Sequence, residues 1–421
     1  MDEVKQEVRR EARSAADTTV TFLKWLLIAL ITGAVGGGIG AMFHVSVQWA
    51  AQLRGIYPWL LWGLPVGGLL IAAMYHISQM ENENTNAIID SIHFGDDVPL
   101  QLVPCIYFAT VITHLFGGSA GREGAALQIG GSLGCYIGRL AHLNAKDMRI
   151  ATLCGMSAVF SALFGTPLTA AIFALEVISV GVFYYSALVP CTVAAVTAYG
   201  VSVACGIAPT RFVVSAAALE PMMLLRVAAL AILCSVMSIL FCVTMHGTEH
   251  ALSKRIPNGF LRIALGGAVL VGLTLLVGTN DYNGAGMEII TAAIEQGRAS
   301  PAAFLLKLLF TAITLGCGFK GGEVVPTFFI GATLGCVAGP LLGIPAGFAA
   351  ALGLVCVFCG AVNCPIASII LSVELFGASS LIYFALACGI AYMLSGYFGL
   401  YSSQKILYSK LRAEFIDVHA K

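Results

Sequence analysis

The sequence predicts an all-α polytopic membrane protein with no soluble domain, and three observations carry that reading. Of 421 residues, 58% are hydrophobic and only 10% charged, with a mean hydropathy of +0.90, whereas a soluble domain carries about 25% charge. The 47 glycines and 14 prolines are too many for simple spanning helices. They fit closely packed helices with breaks, and breaks belong where backbone lines a cavity. The third observation is an internal repeat. Phe160-Ser161-Ala162-Leu163-Phe164-Gly165-Thr166-Pro167 returns as Phe358-Cys359-Gly360-Ala361-Val362-Asn363-Cys364-Pro365 at an offset of 198, and each proline is followed nine residues on by a glutamate, Glu176 or Glu374. Upstream, Ile129-Gly130-Gly131-Ser132-Leu133-Gly134 returns as Ile330-Gly331-Ala332-Thr333-Leu334-Gly335 at an offset of 201. Two ordered matches at nearly one period mark a duplicated half, and duplicated membrane halves commonly have inverted topology. The division expected is an N-terminal segment at 1–18, a first membrane repeat at 19–210, a second at 211–403 and a short tail at 404–421.

In chain order, the segment up to Asp17 is charged and helix-compatible. Its Lys5, Arg9, Arg10 and Arg13, with Lys24, form a basic cluster ahead of the first span and predict a cytoplasmic N-terminus. Interleaved acidic residues and the lack of a small-residue cleavage site exclude a signal peptide. Apolar stretches at 22–51, punctuated by Gly36-Gly37-Gly38, and at 57–77 are each long enough to cross. The polar interval Glu81-Asn82-Glu83-Asn84-Thr85-Asn86 then leads into Ala87-Ile88-Ile89-Asp90, with Thr85 or Asn86 placed to cap a short helix. Their side chains can donate to an anion, although Glu81, Glu83, Asp90, Asp96 and Asp97 would repel one. A solvated loop accounts for the same residues. Residues 99–116 are apolar and deliver the Gly117-Gly118-Ser119-Ala120 turn. Arg139, Lys146 and Arg149 make a basic interval at the cytoplasm or an interface. The run 151–204 is too long for one span and is broken at Gly165-Thr166-Pro167, so two or more helices of unequal length are expected there. Further apolar runs lie near 222–245, 263–278, 303–317, 328–342 and 381–400.

Composition also excludes classes of function. Twenty-two basic and 22 acidic residues give zero net charge, which argues against a nucleic-acid partner. Thirteen cysteines are scattered singly in apolar runs, where a small hydrophobe that packs is the usual role. Cys356 and Cys359, with Cys364 nearby, have no histidine close in sequence, and packing is the better reading than a metal site. His246-Gly247-Thr248-Glu249-His250 matches the H-x-x-E-H pattern of some zinc peptidases. An intramembrane metallopeptidase using His246 and His250 is the weaker reading, because the motif ends a hydrophobic span and a polar helix end at the headgroups explains it. No metal or cofactor is expected.

The stretch around which the chain is organised is Gly121-Arg122-Glu123-Gly124-Ala125-Ala126-Leu127-Gln128-Ile129-Gly130-Gly131. Long hydrophobic segments on either side put Arg122 and Glu123 at or near membrane depth, where an ionisable residue costs several kcal/mol unless it has a partner or a water-filled path. Flanking glycines leave N–H groups uncovered at the start of the next helix, which holds an anion without a full positive charge. A carboxylate there competes with a mobile anion until a proton neutralises it, so one residue can couple the two. A salt-bridged surface loop is the plainer alternative. The counterpart in the second half is Gly318-Phe319-Lys320-Gly321-Gly322-Glu323-Val324-Val325-Pro326, with Pro326 suited to a first helical turn. Two helix N-termini aimed at one point would make an anion site.

Together, Gly121-Arg122-Glu123-Gly124, Gln128-Ile129-Gly130-Gly131, Gly165-Thr166-Pro167-Leu168 and Gly321-Gly322-Glu323-Val324-Val325-Pro326 resemble the CLC anion channel and transporter family in order and spacing over nearly the whole chain. The resemblance implies an inverted-repeat fold of tilted and broken helices, a homodimer with one pore per subunit, a bacterial inner-membrane location and Glu123 as the gating glutamate. It places Tyr401, in Gly399-Leu400-Tyr401-Ser402, where the family has a pore tyrosine. Chloride-type members carry G-S-G-I-P before the gate and G-x-F-x-P in the second motif. Glu83-Asn84-Thr85-Asn86 and G-G-E-V-V-P stand here instead, and both differences resemble the fluoride-selective branch, CLC-F, which exports fluoride in exchange for protons. That branch usually has threonine after the gate motif, where Ala125 stands, and threonine is also expected where Val325 stands. Val177 replaces the inner glutamate of the proton-exchanging chloride members, while Glu176 is expected to be a structural residue near an interface. The anion-site residues implied are Glu123 for gating and proton coupling, with Thr85, Asn86, Gly121, Arg122, Gly124, Val324, Val325 and Tyr401 around the anion. The function implied is fluoride/proton antiport, with a chloride-conducting CLC channel or a chloride/proton exchanger as the alternative.

Overall fold

The computed structural model describes residues 2–81, 83–95, 97–215 and 219–421, with side chains from residue 16 onward. Asn82, Asp96 and the side chains of Lys5, Arg9, Arg10 and Arg13, invoked above, lie outside the described residues. Among the described residues helices dominate, in two runs of eight that correspond in order. The first run is α1 (Asp2–Ile56), α2 (Leu64–Ile77), α3 (Thr85–Phe94), α4 (Leu102–Phe116), α5 (Glu123–Leu140), α6 (Ala145–Phe164), α7 (Pro167–Glu176) and α8 (Leu188–Ala204). The second is α9 (Pro221–Arg255), α10 (Gly259–Val277), α11 (Met287–Glu295), α12 (Ala303–Gly316), α13 (Val324–Leu341), α14 (Ala346–Val362), α15 (Pro365–Phe376) and α16 (Leu381–Leu394). Among the described residues, seven helices are long and apolar enough to cross a membrane. The apolar part of α1, 41 residues from Ala16, is about 60 Å long at 1.5 Å per residue, twice the hydrocarbon thickness, and so is more than long enough to cross. By contrast α7 and α15 have only 10 and 12 residues and leave helix ends at membrane depth, where every orphan N–H and C=O must find a partner inside the protein.

The run 151–204 divides into α6, α7 and α8. Gly165 closes α6 in the left-handed region at φ 69°, and Pro167, with no N–H to satisfy, opens α7. In the second half Asn363 takes the glycine's place at φ 59° and Pro365 opens α15. The Gly36-Gly37-Gly38 run does not interrupt α1; Gly36 and Gly37 lie in a contact stripe with Gly33 and Gly40, while Gly38 faces open space. A Cβ at Gly33 would stand 2.6 Å from the Ala194 carbonyl oxygen of α8, and one at Gly40 would stand 2.8 Å from Ala162 of α6. Small residues let helix backbones approach where no hydrophobic force drives them together. The repeated motif serves the same purpose in both halves. A Cβ at Gly130 would lie 2.3 Å from the Gly155 carbonyl oxygen and one at Gly331 would lie 2.2 Å from that of Gly353, so α5 against α6 and α13 against α14 are pressed backbone to backbone.

The two halves are stitched by exchanged carboxylates. Glu176, at the end of α7, accepts from the N–H groups of Ile366 (3.1 Å) and Ala367 (2.8 Å) at the start of α15. Glu374, near the end of α15, accepts from the N–H groups of Leu168 (3.0 Å) and Thr169 (2.9 Å) at the start of α7, and from the Thr169 hydroxyl (2.5 Å). Each short helix therefore caps the other's N-terminus, meeting both the hydrogen-bond deficit and the positive end of the dipole.

Residues 404–421 carry two strands of one small sheet appended to the helical fold. β2 (Lys405–Tyr408) pairs in parallel with β1 (Ser179–Val180) and antiparallel with β3 (Phe415–His419). Ile406 packs inward with Val180 and Ala420, which fixes the sheet's register.

The glycine contacts are directly testable. Gly130→Ala is expected to destabilise the protein by about 1–3 kcal/mol through overpacking, seen as a lower Tm in detergent. Gly272→Ala in α10, where nothing lies within 4 Å of the added methyl, is expected to be neutral or to stabilise by about 0.4–1 kcal/mol.

Candidate functional site

Two helix starts, one from each half, meet head to head. Gly121 and Gly322 pair as an isolated antiparallel bridge, Gly121 N–H donating to Gly322 O at 2.7 Å and Gly322 N–H to Gly121 O at 2.8 Å. The bridge brings the first turns of α5 and α13 together and satisfies backbone that would otherwise be stranded at membrane depth. Glu123 opens α5 and its side chain turns back over this junction. Oε2 accepts from the Arg122 N–H at 2.9 Å and from the Val325 N–H at 3.4 Å. The carboxylate thus sits on amides of both halves, where helix dipoles favour negative charge. The glycines are obligatory. A Cβ at Gly121 would stand 2.2 Å from Glu123 Oε2, and one at Gly322 would stand 2.6 Å from the Glu123 and Gly124 nitrogens. Gly124 is similarly confined, with Glu323 Oε2 at 3.0 Å.

Glu123 is 0% exposed, so the two charged residues are not a solvated surface loop. The pair with Arg122 is also loose: Nε is 3.9 Å from Glu123 Oε1, while the guanidinium's Nη2 donates to Leu163 O at 3.5 Å. Glu123 Oε1 is buried without a hydrogen-bond partner. Two cavities flank this seat. One, of about 590 Å³, is lined by His44, Gln48, Arg54, Arg122, Glu123 and Val325. The other, of about 350 Å³, is lined by Thr85, Asn86, Gln128, Lys320, Glu323 and Tyr401 among others. The Tyr401 hydroxyl, Gln128 Oε1 and Glu323 Oε2 are, like Glu123 Oε1, buried without partners. Unpartnered buried polar atoms carry a desolvation cost of about 1–3 kcal/mol each, and their clustering beside two cavities, each roomy enough for several waters, is what a polar guest or a chain of waters would relieve.

The structure brings Gly121, Glu123, Gly124, Val324 and Val325 into one junction. Val325 supplies the amide that reaches Glu123, and Val324 opens α13 beside it. Thr85, Asn86 and Tyr401 line the smaller cavity, whereas the Arg122 side chain lines the larger one. Neither Thr85 nor Asn86 caps α3. That role falls to Asn84, whose extended backbone leaves Oδ1 to accept from Ala87 N–H at 3.1 Å. Thr85 is instead the first helical residue, and its hydroxyl oxygen accepts from Gln128 Nε2 at 3.1 Å, which leaves its own hydrogen to donate. His246 lines the same cavity and its Nε2 donates to Gly399 O at 2.9 Å. No group of three or more metal-ligating side chains is placed to hold an ion among the described residues.

Sequence reasoning passed over Glu323, Gln128 and Lys320. The signal for the two charged ones was present: the argument that an ionisable residue at membrane depth is functional by default applies to the second motif as it does to the first. Gln128 has no such signal, since its partner Thr85 is 43 residues away.

Comparison with known proteins gives a consistent result. The family model described as voltage gated chloride channel matches residues 67–396. A chloride/fluoride channel protein of Pseudomonas syringae pv. tomato is 38% identical over 396 residues, covering 92% of this chain and 87% of its own length. The H(+)/Cl(-) exchange transporter ClcA of Yersinia pestis is 25% identical over 409 residues, covering 87% and 83%. Among solved structures, a CLC-type fluoride/proton antiporter superposes with a TM-score of 0.88 at 31% identity, over 91% of this chain and 98% of that one. A slow cyanobacterial Cl-/H+ antiporter shares the fold, with a TM-score of 0.75 at 20% identity over 88% and 94%. A duplicated eight-helix unit whose broken helix starts meet at a buried glutamate, matched by family model, sequence and structure alike, places this chain in the CLC, or voltage gated chloride channel, family.

Proposed function

We propose that the protein is an anion transporter that exports fluoride in exchange for protons, with Glu123 as the residue both ions compete through. The observation that carries this reading is the Glu123 carboxylate itself, fully buried and seated on amides from both halves between two cavities. Ionised, it occupies the place of an anion. Protonated, it loses its attraction for the two N–H groups and swings away, and an anion takes the vacated donors. Anion and proton then move in opposite directions. Fluoride holds its water tightly and needs dense donors in exchange; the Thr85 hydroxyl, the Asn86 amide, the Tyr401 hydroxyl and the amides of Val324 and Val325 are the set that supplies them. Glu323, across the Gly121–Gly322 bridge from Glu123, is the second carboxyl on the proton's route. The printed names of the fluoride-handling relative and structure support the substrate class. Chloride carried by the same route is a second reading, favoured by Ala125 and Val325 standing where the fluoride branch has threonine.

The basic N-terminal segment and Lys24 support a cytoplasmic N-terminus, with residues 19–210 and 211–403 as the two halves and a bacterial inner membrane as the location. Exposed apolar residues on the short helices and their neighbours, Leu168, Val189, Ile366 and Ile382, support a homodimer through α7, α8, α15 and α16, each subunit with its own pore.

The deciding measurement is anion efflux from liposomes containing the purified protein, fluoride against chloride, with proton movement recorded in parallel. Fluoride efflux with opposing proton flux is expected; equal or faster chloride efflux would return the protein to the chloride type. Glu123→Ala is expected to keep anion movement and lose proton movement altogether, and a variant that kept normal coupling would sink the scheme. Tyr401→Phe removes one donor to a charged guest, about 1.5–3 kcal/mol, and is expected to weaken fluoride binding roughly ten- to hundredfold by isothermal titration while leaving the fold intact.

A further inference from the structure

The C-terminal hairpin reaches the anion route through one residue that no motif marks. Ser403 is buried and bridges two positions one helical turn apart on α3. Its N–H donates to Asn86 Oδ1 at 3.2 Å and its hydroxyl donates to Asp90 Oδ2 at 2.7 Å. The segment around it is held from several sides. Gln404, 0% exposed, donates from Nε2 to Val177 O at 3.0 Å and Val362 O at 2.9 Å, and its Oε1 accepts from Asn363 Nδ2 at 2.8 Å. Lys410 in turn donates to Asn363 Oδ1 (2.5 Å) and Ser395 Oγ (2.9 Å), while Ala420 N–H donates to Gln404 O (3.0 Å), tying in β3. Tyr401 shares this rigid segment, its carbonyl accepting from Gln404 N–H at 3.0 Å.

An amide side chain has an accepting end and a donating end, and a backbone N–H can only donate. With the Ser403 N–H fixed against Asn86, the amide oxygen must face it, and the NH₂ group is left for the cavity that Asn86 lines with Thr85 and Tyr401. Turned the other way, two donors would oppose each other at Ser403 and an acceptor would face the guest. We infer that Ser403, locked by Asp90, is a positioning residue for anion selectivity: it sets which end of the Asn86 amide meets the anion. The inference rests on the reading of this cavity as the anion route.

The test is a mutant cycle in purified full-length protein, read by liposome efflux and by isothermal titration with fluoride and with chloride. Ser403→Ala and Asp90→Ala are each expected to lower the preference between the two halides by about fivefold, the factor one hydrogen bond carries. Ser403→Thr and Asp90→Asn keep the hydroxyl-to-oxygen bond and are expected to restore it. In an Asn86→Ala background Ser403→Ala is expected to do nothing further. Asn86→Asp, which keeps an oxygen for Ser403 but turns an acceptor to the cavity, is expected to abolish halide binding. A Ser403→Ala protein with wild-type selectivity, a loss that threonine does not rescue, or an effect undiminished without Asn86 would each overturn the inference. A wild type without fluoride preference would overturn the fluoride reading instead, and the cycle would then be read on the halide it does carry. Variants are compared only where they elute as the wild type does; Ser403→Thr and Asp90→Asn, both conservative, keep the test decisive if an alanine variant misfolds.

Discussion

An α-helix that stops inside a bilayer leaves amides with nothing to bond, and the rest of this structure follows from how that shortage is met. Water is absent and lipid offers no acceptor, so each broken end has to be completed by another part of the chain. The solution is exchange between halves. Gly121 and Gly322 complete each other, Glu176 completes α15 and Glu374 completes α7. The start of α5 is the exception. There the amides of Arg122 and Val325 are completed by a side chain, the Glu123 carboxylate, rather than by fixed backbone, and under the proposed function that makes the same deficit an exchangeable seat.

The two kinds of glutamate look alike in sequence and differ in setting. Glu176 and Glu374 each have both carboxylate oxygens engaged. Glu123 has one engaged and one without a partner, next to a cavity. A carboxylate held on one side only, with room beside it, is able to move; one held on both sides is a strut. Close helix packing through Gly130, Gly155, Gly331 and Gly353 then keeps the two helix starts in register, since a shift of one would carry its amides away from the other.

Much of the architecture was legible because it was written twice. The repeat exposed the duplication, the G-R-E-G and G-G-E-V-V-P segments located the junction, and the break at Gly165-Thr166-Pro167 followed from turn chemistry. What stayed hidden was whatever depends on contact between distant segments. The exchange of caps between Glu176 and Glu374 joins residues about two hundred positions apart, and the spacing after each proline signals that they are equivalent without saying that they cross. Gly36-Gly37-Gly38 read as punctuation because glycine weakens an isolated helix, whereas in the packed bundle the missing side chains of Gly36 and Gly37 are places for neighbours. The sheet formed by residues 179–180, 405–408 and 415–419 also stayed hidden, because Lys405-Ile406-Leu407-Tyr408 carries no polar–apolar alternation and its pairing with 179–180 spans more than two hundred positions. Ser403 could not have been picked out, since its partners Asn86 and Asp90 lie 317 and 313 positions away in the sequence.

The crossed caps also set a timetable for biogenesis. The amides of Leu168 and Thr169 are completed by Glu374, which lies 206 residues downstream of Leu168. At about 5–20 residues per second, the ribosome takes roughly 10–40 s to make that interval. Throughout it the first half sits in the membrane with an unfinished helix start, held only by its own packing. The nascent first half is therefore a natural client for whatever shields polar backbone during insertion, and the moment residue 374 emerges is the moment the fold can close.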